Sequence, residues 1–152
     1  MTRLSGPWPT AEVQQFLADA TIPLRLAYTT DSGWPSVVSL WFVHRDGAIW
    51  CATQATANIV RHLRRDPRCG FEIAPDRPPY RGVRGQGRAE IDATQGEAIL
   101  RELIARYLGS STSSFARWLL RRAGNEVAIR IVPATLATWD YTERMRDISA
   151  ER

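Results

Sequence analysis

The side chains best suited to binding an anionic ligand lie at the end of a predicted β-strand, at Thr53, and in the loop after it, at Thr56 and Asn58. They are small, they carry hydroxyl or amide groups, and they stand where a helix is predicted to begin. A helix N-terminus has unpaired N–H groups and a partial positive charge, which favour an anion such as a phosphate. Residues 53–58 are therefore predicted to hold a phosphate group.

Arginine supplies every basic side chain apart from two histidines. The 152 residues include 20 arginines and no lysine, and the formal net charge is +4. Without lysine, Schiff-base chemistry on pyridoxal phosphate or a carbonyl substrate is excluded. A helix over residues 56–65 would place arginines 61, 64, 65 and 68 on one side, either as an anion-binding stripe or, as we favour, as a solvated face.

No motif identifies a catalytic residue. The chain has no GxSxG elbow, no HExxH and no paired carboxylates at helical spacing. Cys51, Cys69, His44 and His62 lack the spacing of zinc ligands, so we expect no metal site and interpret both cysteines as reduced core residues.

Composition limits the partners that the protein can have. The pI of about 9.7 raises nucleic-acid binding as an alternative function. The aromatic residues lie in apolar strands rather than among the arginines, so we expect no specific nucleic-acid partner. No apolar run approaches the ~20 residues of a membrane span, and the first residues lack the apolar segment of a signal peptide. We therefore expect a cytoplasmic protein with no membrane partner.

The elements that position these groups are predicted to be mostly strands joined as hairpins. Asp46-Gly47 marks a two-residue turn between segments rich in β-branched and aromatic residues. Six strands are predicted, over residues 24–29, 34–43, 48–53, 68–74, 80–91 and 126–139. Helices are predicted over residues 10–20, 56–65, 94–108 and 115–123, with Thr10 and Thr94 as N-caps. This pattern favours a mainly β fold with short flanking helices, closing as a small antiparallel barrel.

One domain is expected over residues 1–152. It would comprise an N-terminal helix over about 10–20, core strands over 22–93, a helical insertion over 94–123 and the last strand over 125–140.

Glycines interrupt the predicted strand of residues 80–91 at Gly82, Gly85 and Gly87. Glycine weakens a strand unless the backbone must approach another group closely. The order Gly-x-x-Gly-x-Gly follows no strand-to-helix turn and excludes a Rossmann fingerprint. Two interpretations remain, a strand that presents arginines 81, 84 and 88 to a phosphate, and a bulged barrel strand whose arginines face solvent.

An ordered series of segments resembles the pyridoxamine 5′-phosphate oxidase-like family of flavin-binding split-barrel proteins. The segments are residues 33–42 (GWPSVVSLWF), 49–53, 63–68, 79–89, 106–109 and 133–140. The resemblance that they carry extends, in order, over nearly the whole chain. The resemblance implies a six-stranded antiparallel split barrel of the FMN-binding type. It also implies a homodimer with the cofactor cleft between subunits, and FMN as cofactor, with the deazaflavin coenzyme F-420 as the alternative.

The resemblance further implies which residues contact the cofactor. The backbone near Val37 would lie along the flavin ring, the loop after Thr53 would hold the phosphate, and the strand at Arg81 and an aromatic residue near the C-terminus would reach the cofactor too. The implied cofactor-binding residues are Val37, Val38, Ser39, Trp41, Thr53, Thr56, Ala57, Asn58, Arg61, Arg81, Gly82, Arg84 and Trp139.

Two features of the sequence depart from the family pattern. Ala57, Asn58 and Ile59 stand in a loop where members commonly carry lysine or arginine, and Gly82 replaces a polar residue that often sits beside the strand arginine. The first departure removes the charge that pairs with the phosphate, and a charge-assisted hydrogen bond is about twice as strong as a neutral one. Arg61, Arg81 or Arg84 would have to replace the loop cation.

Two functions follow from the resemblance. The first is an oxidoreductase that uses FMN or F-420 to transfer hydride or electrons to an unidentified small molecule, with the protein supplying binding, orientation and exclusion of water. The alternative is a non-catalytic cofactor-binding protein with the same fold. Substrate-dependent turnover distinguishes the two. The C-terminal features specific to the vitamin B6 oxidase are not visible, so oxidation of that substrate is not predicted.

Overall fold

The computed structural model describes residues 1–146. Its strands are β1 (Arg3–Ser5), β2 (Leu24–Thr29), β3 (Pro35–Leu40), β4 (Val43–Arg45), β5 (Ala48–Gln54), β6 (Arg68–Ile73), β7 (Arg81–Asp92) and β8 (Glu126–Asp140). Its helices are α1 (Thr10–Asp19), α2 (Asn58–Arg65), α3 (Gly96–Leu108) and α4 (Ser114–Arg121), and a short 3-10 turn, Ala123–Asn125, joins α4 to β8.

The strands form one curled sheet, a half-barrel, in the order β3-β2-β6-β7-β8-β5-β4. Every neighbouring pair along that path is antiparallel, and β1 adds in parallel to β8. The long β7 and β8 pair from Arg81 opposite Asp140 to Asp92 opposite Ala128, with a shift of register after Gln86. The expected mainly β fold with short flanking helices is therefore confirmed.

The described residues contain eight strands where six were predicted. The predicted strand over residues 34–43 is broken at Trp41 and Phe42, because the Tyr107 hydroxyl accepts a hydrogen bond from the Phe42 N–H (3.1 Å). The short β1 was missed because three residues are too few to show the alternation of apolar and polar residues that indicates a strand. Its pairing with Thr135–Ala137 also joins distant parts of the chain.

Both predicted threonine N-caps are wrong. Helix α1 has Pro9 as its N-cap, and Thr10 is its first residue. Helix α3 has Gln95 as its N-cap, because Thr94 instead donates its N–H (2.9 Å) and its hydroxyl (2.6 Å) to the Asp92 carboxylate. Local hydrogen bonding of this kind competes with helix capping.

The turn predictions are confirmed. Asp46 and Gly47 both have positive φ (53° and 72°), as a two-residue hairpin requires between β4 and β5. Gly109 ends α3 in the left-handed conformation (φ 72°), where glycine carries no steric penalty.

The core lies inside the curled sheet. It is built from Leu24, Leu26, Phe42, Ile49, Ile73, Val83, Ile129 and Ile131, with α1 and α2 packed against it. Helix α3 packs on β5 and β8 through Ile99 and Leu103.

Cys51 and Cys69 are buried free thiols, and burial raises the pKa of Cys69 to about 11. Within residues 1–146, no helix has the length and apolar character needed to cross a membrane.

Candidate functional site

Strand β3 lies at one edge of the sheet. Within the described chain it pairs with β2 alone, so backbone N–H and C=O groups along its other side have no strand partner. An edge of this kind can hydrogen-bond an extended peptide or a planar ligand with donors and acceptors along one side. The predicted backbone contacts Val37, Val38 and Ser39 are all on this strand.

A cavity of about 280 Å³ opens at the end of β3, between the sheet and helices α3 and α4. It brings together three of the predicted site residues, Ser39, Trp41 and Thr53. Its remaining lining is Leu40, Ala52, Gln54, Leu100, Leu103, Phe115, Leu119, Arg122 and Glu126. The wall is mostly apolar with a few polar groups, as is usual for small-molecule sites.

Aromatic packing fixes the position of Trp41 in this wall. Its ring stacks on Tyr107 with centroids 5.0 Å apart and planes 9° apart, and Phe115 meets it edge-on at 6.1 Å. The Tyr107 hydroxyl donates to the Ile22 carbonyl (2.9 Å), which holds the phenol in place. Desolvation raises the pKa of Tyr107, so the hydroxyl keeps its proton at neutral pH. Trp41 therefore offers a rigid surface to a ligand.

Polar groups cluster where β5 meets the start of β8. Gln54 Nε2 donates to Glu126 Oε1 (3.1 Å) and to the carbonyl of Arg122 (3.2 Å). Glu126 is 8% exposed, and its Oε2 has no hydrogen-bond partner within the described residues. Burial raises the pKa of the Glu126 carboxyl, while the Gln54 hydrogen bond and the charge of Arg122 oppose that shift.

Other predicted contacts lie away from this cavity. Val37 is 64% exposed on the outer face of the sheet, where it shares a recess of about 540 Å³ with Arg84. The Arg84 guanidinium lies 5.4 Å from the centre of the Trp139 ring. Val38 packs against the core inside the sheet.

Arg81 and Gly82 lie at the start of β7. The Arg81 guanidinium is 5.5 Å from the centre of the Trp8 ring. Gly82 is buried, and a Cβ there would lie 2.6 Å from the Ile73 carbonyl oxygen and 2.7 Å from the Ala74 Cβ. Neighbouring backbone thus requires glycine at position 82, which explains the departure from the family pattern there.

The start of α2 keeps its backbone donors free of side-chain caps. Ala57 is the N-cap residue and makes no side-chain hydrogen bond, and Thr56 and Asn58 are exposed beside it. A helix therefore does begin after this turn, with no basic side chain in residues 53–58, and anion binding there stays a prediction.

The arginines of α2 are paired elsewhere. Arg61 and Arg65 both form ion pairs with Asp31 in the turn before β3, and the Arg61 hydrogen bond lowers the pKa of that carboxyl. Arg68 pairs with Asp66. Three of the four arginines in the predicted stripe thus bind nearby carboxylates, which agrees with the interpretation as a structural, solvated face.

Sequence reasoning missed the wall that the segment between β7 and β8 contributes. Leu100, Leu103, Phe115, Leu119 and Arg122 come from α3, α4 and the residue after α4. Helical periodicity showed that these segments are amphipathic, but it carries no information on which strand they pack against. One signal was present in α4, since Phe115 and Trp118 remain 48% and 44% exposed.

No group of three or more potential metal-ligating side chains occurs among residues 1–146. Glu126 and Arg122 are the ionisable side chains that line the cavity. The cavity thus combines a mostly apolar, aromatic wall with one acidic and one basic side chain.

These features define a class of protein, a curled antiparallel half-barrel with short flanking helices, whose edge strand leads into an aromatic-walled cavity. A family model described as pyridoxamine 5′-phosphate oxidase matches residues 9–140, and the protein belongs to this family. No curated protein matches the sequence.

Solved structures share the fold over most of their length. A conserved hypothetical protein from Mycobacterium tuberculosis is 26% identical, with a TM-score of 0.76, and the match covers 93% of this chain and 90% of that one. An F-420 reductase is 21% identical, with a TM-score of 0.67 and coverage of 80% and 94%. An FAD-binding protein from Mesorhizobium loti is 18% identical, with a TM-score of 0.61 and coverage of 85% and 92%. The last two likenesses concern the fold alone.

Proposed function

We propose that this protein binds FMN, with F-420 as the alternative, and transfers hydride or electrons between that cofactor and a small molecule. The observation that carries the proposal is the free edge of β3, which leads through Ser39 into a cavity walled by Trp41. The relatives named as an F-420 reductase and an FAD-binding protein support a flavin-type cofactor.

The residues present suit a flavin. The unpaired backbone groups of β3 would hydrogen-bond the donors and acceptors along one side of the ring, and Trp41 would supply an apolar surface for the ring itself. When bound, the flavin supplies the redox chemistry. The protein's own part is to bind and orient the ring and to exclude water from it.

The first test is the visible absorption spectrum of the purified protein, followed by fluorescence titrations with FMN and with F-420. We expect saturable binding of at least one of them at a ratio of one per chain. Failure of the protein to bind either compound would contradict the proposal. If binding occurs, consumption of a reduced cofactor that depends on an added acceptor distinguishes an enzyme from a non-catalytic binding protein.

We further propose that a second copy of the chain completes the cofactor site. The cavity of about 280 Å³ is slightly smaller than the ~300–1,000 Å³ usual for small-molecule sites. The outer face of the sheet bears small residues, Ala27, Gly70 and Ala137, beside the exposed Val37. Such a face permits close approach of another protein surface.

Replacing Val37 with arginine is expected to convert a dimer into a monomer, because the new charge adds to Arg25 and Arg84 in a recess where Glu72 is the one acidic residue among the described lining residues. Sedimentation should give twice the chain mass of 17.1 kDa for the wild type and the chain mass for the variant. The FMN affinity of the variant should fall at least tenfold. Ala11→Arg, which adds the same charge on the exposed side of α1, should change neither property. A monomeric wild type would contradict this proposal.

A further inference from the structure

Arg122 is the positively charged side chain in the lining of the cavity beneath β3. It follows the last residue of α4 and shares the cavity wall with Thr53 and Gln54, at the end of β5. Arg61, Arg81 and Arg84 are the phosphate partners expected from the sequence, and Arg122 is not among them.

Backbone contacts fix the position of Arg122 against β5. Its carbonyl accepts a hydrogen bond from Gln54 Nε2, and the Ala55 N–H donates to the Asn125 carbonyl (2.8 Å) three residues further on. Helix α4 itself is capped by Ser113, whose hydroxyl oxygen accepts a hydrogen bond from the Ala116 N–H (3.1 Å). The helix and its connection to β8 therefore hold Arg122 beside the strand end that the sequence associates with a phosphate.

Arg122 forms no ion pair with another residue among residues 1–146. No described carboxylate oxygen lies within 4.0 Å of its guanidinium, which packs 4.8 Å from the centre of the Trp118 ring. Glu126 is the acidic group that faces it, and burial raises the pKa of that carboxyl. Arg61, by comparison, is already paired with Asp31. Arg122 can thus donate to an incoming anion without breaking an existing ion pair.

We propose that Arg122 binds the phosphate of the flavin cofactor and so replaces the cation missing from the loop at Ala57, Asn58 and Ile59. The guanidinium presents parallel N–H donors that match phosphate oxygens. The hydroxyl of Thr53 stands in the same wall as a further donor. This inference rests on the proposed function, since it requires that a flavin phosphate enters the cavity.

The test compares two ligands that differ by one phosphate, FMN and riboflavin. Fluorescence titrations give the dissociation constants of both for the wild type and for Arg122→Gln. We expect the substitution to weaken FMN about 10- to 100-fold, as for loss of a hydrogen bond to a charged group. The affinity for riboflavin should stay the same. Arg122→Lys should recover part of the FMN affinity, because lysine restores the positive charge but not the parallel N–H donors of the guanidinium.

Arg121→Gln is the matched control. Arg121 ends α4 and is exposed, as Arg122 is, but it does not line the cavity, so the same loss of one charge should leave both dissociation constants unchanged. Wild-type FMN affinity should also fall with rising salt concentration more steeply than that of Arg122→Gln, since the ion pair is screened. If the protein binds F-420 and not FMN, the same variants are compared on F-420 and on its deazaflavin core without the phosphate.

The outcomes separate the two proposals. If the wild type binds FMN and Arg122→Gln binds it equally well, the role of Arg122 is refuted and the proposed function stands. If the substitution weakens FMN and riboflavin by the same factor, Arg122 acts on the ring or on the shape of the cavity, and the phosphate assignment is again refuted. If the wild type binds neither FMN nor F-420, the proposed function fails and the role of Arg122 fails with it.

Discussion

Replacing Arg106 with glutamine is expected to lower the free energy of unfolding by about 2–4 kcal/mol. The Arg106 guanidinium, on α3, donates to the carbonyls of Leu17 (2.9 Å), Ala18 (2.8 Å) and Ala20 at the end of α1. Helix α1 has no basic residue in its own last turn, so a side chain from elsewhere satisfies its terminal carbonyls. Glutamine is neutral and has fewer donors, and it would leave some of these partly buried acceptors unpaired.

Thermal or urea denaturation measures this loss. For a protein of this size the change corresponds to a melting temperature lower by roughly 4–16 °C. Arg101→Gln is the control on the same helix, because Arg101 makes an exposed ion pair with Glu97 four residues earlier. That pair should be worth only about 0.3–0.5 kcal/mol. Equal losses in the two variants would contradict the role assigned to Arg106.

Replacing Gly96 with alanine is expected to destabilise the protein by about 1–3 kcal/mol or more. Gly96 is the first residue of α3 and is buried against the start of β8. A Cβ there would lie 2.0 Å from the carbonyl oxygen of Glu126 and 2.7 Å from the nitrogen of Val127. Because these are backbone atoms of a strand paired with β5, the helix or the strand must move.

Gly124→Ala is the matched control for this substitution. Gly124 lies in the 3-10 turn before β8, has no positive φ, and would place its new Cβ in open space. The free energy of unfolding of this variant should differ from that of the wild type by less than about 0.5 kcal/mol, or increase slightly because the unfolded chain loses conformational freedom. Since Glu126 lines the cavity, Gly96→Ala should also weaken flavin binding. Denaturation curves of the two variants that coincide would refute the close contact at Gly96.

The sequence predicted local structure well where short-range chemistry decides it. The Asp46-Gly47 hairpin depends on two residues that tolerate positive φ, and Gly109 ends its helix for the same reason. The two paired strands of this hairpin were predicted from their content of β-branched and aromatic residues. The ordered motifs also predicted the family, which the match over residues 9–140 confirms.

The candidate site was predicted in part. Ser39, Trp41 and Thr53 do share a cavity, although they come from different elements. The other predicted contacts lie elsewhere in a single chain, with Val37 and Arg84 on the outer face of the sheet and Arg61 paired with Asp31. Whether those residues contact the cofactor stays a prediction, and the dimerisation and binding experiments test it.

The sequence by itself determined where strands turn and helices end, because glycine, proline and alternating apolar residues act on their immediate neighbours. Tertiary structure alone decided which distant groups meet. Gly85 illustrates this, since a Cβ there would strike the Thr135 carbonyl oxygen (2.4 Å) on β8 and the Phe71 ring (2.6 Å) on β6. The closeness of neighbouring strands is sufficient to explain the glycine, without a ligand. Arg106 at the end of α1 and Arg122 beside Thr53 are likewise products of helix packing, because a side chain's partners across the sheet depend on the path of the whole chain.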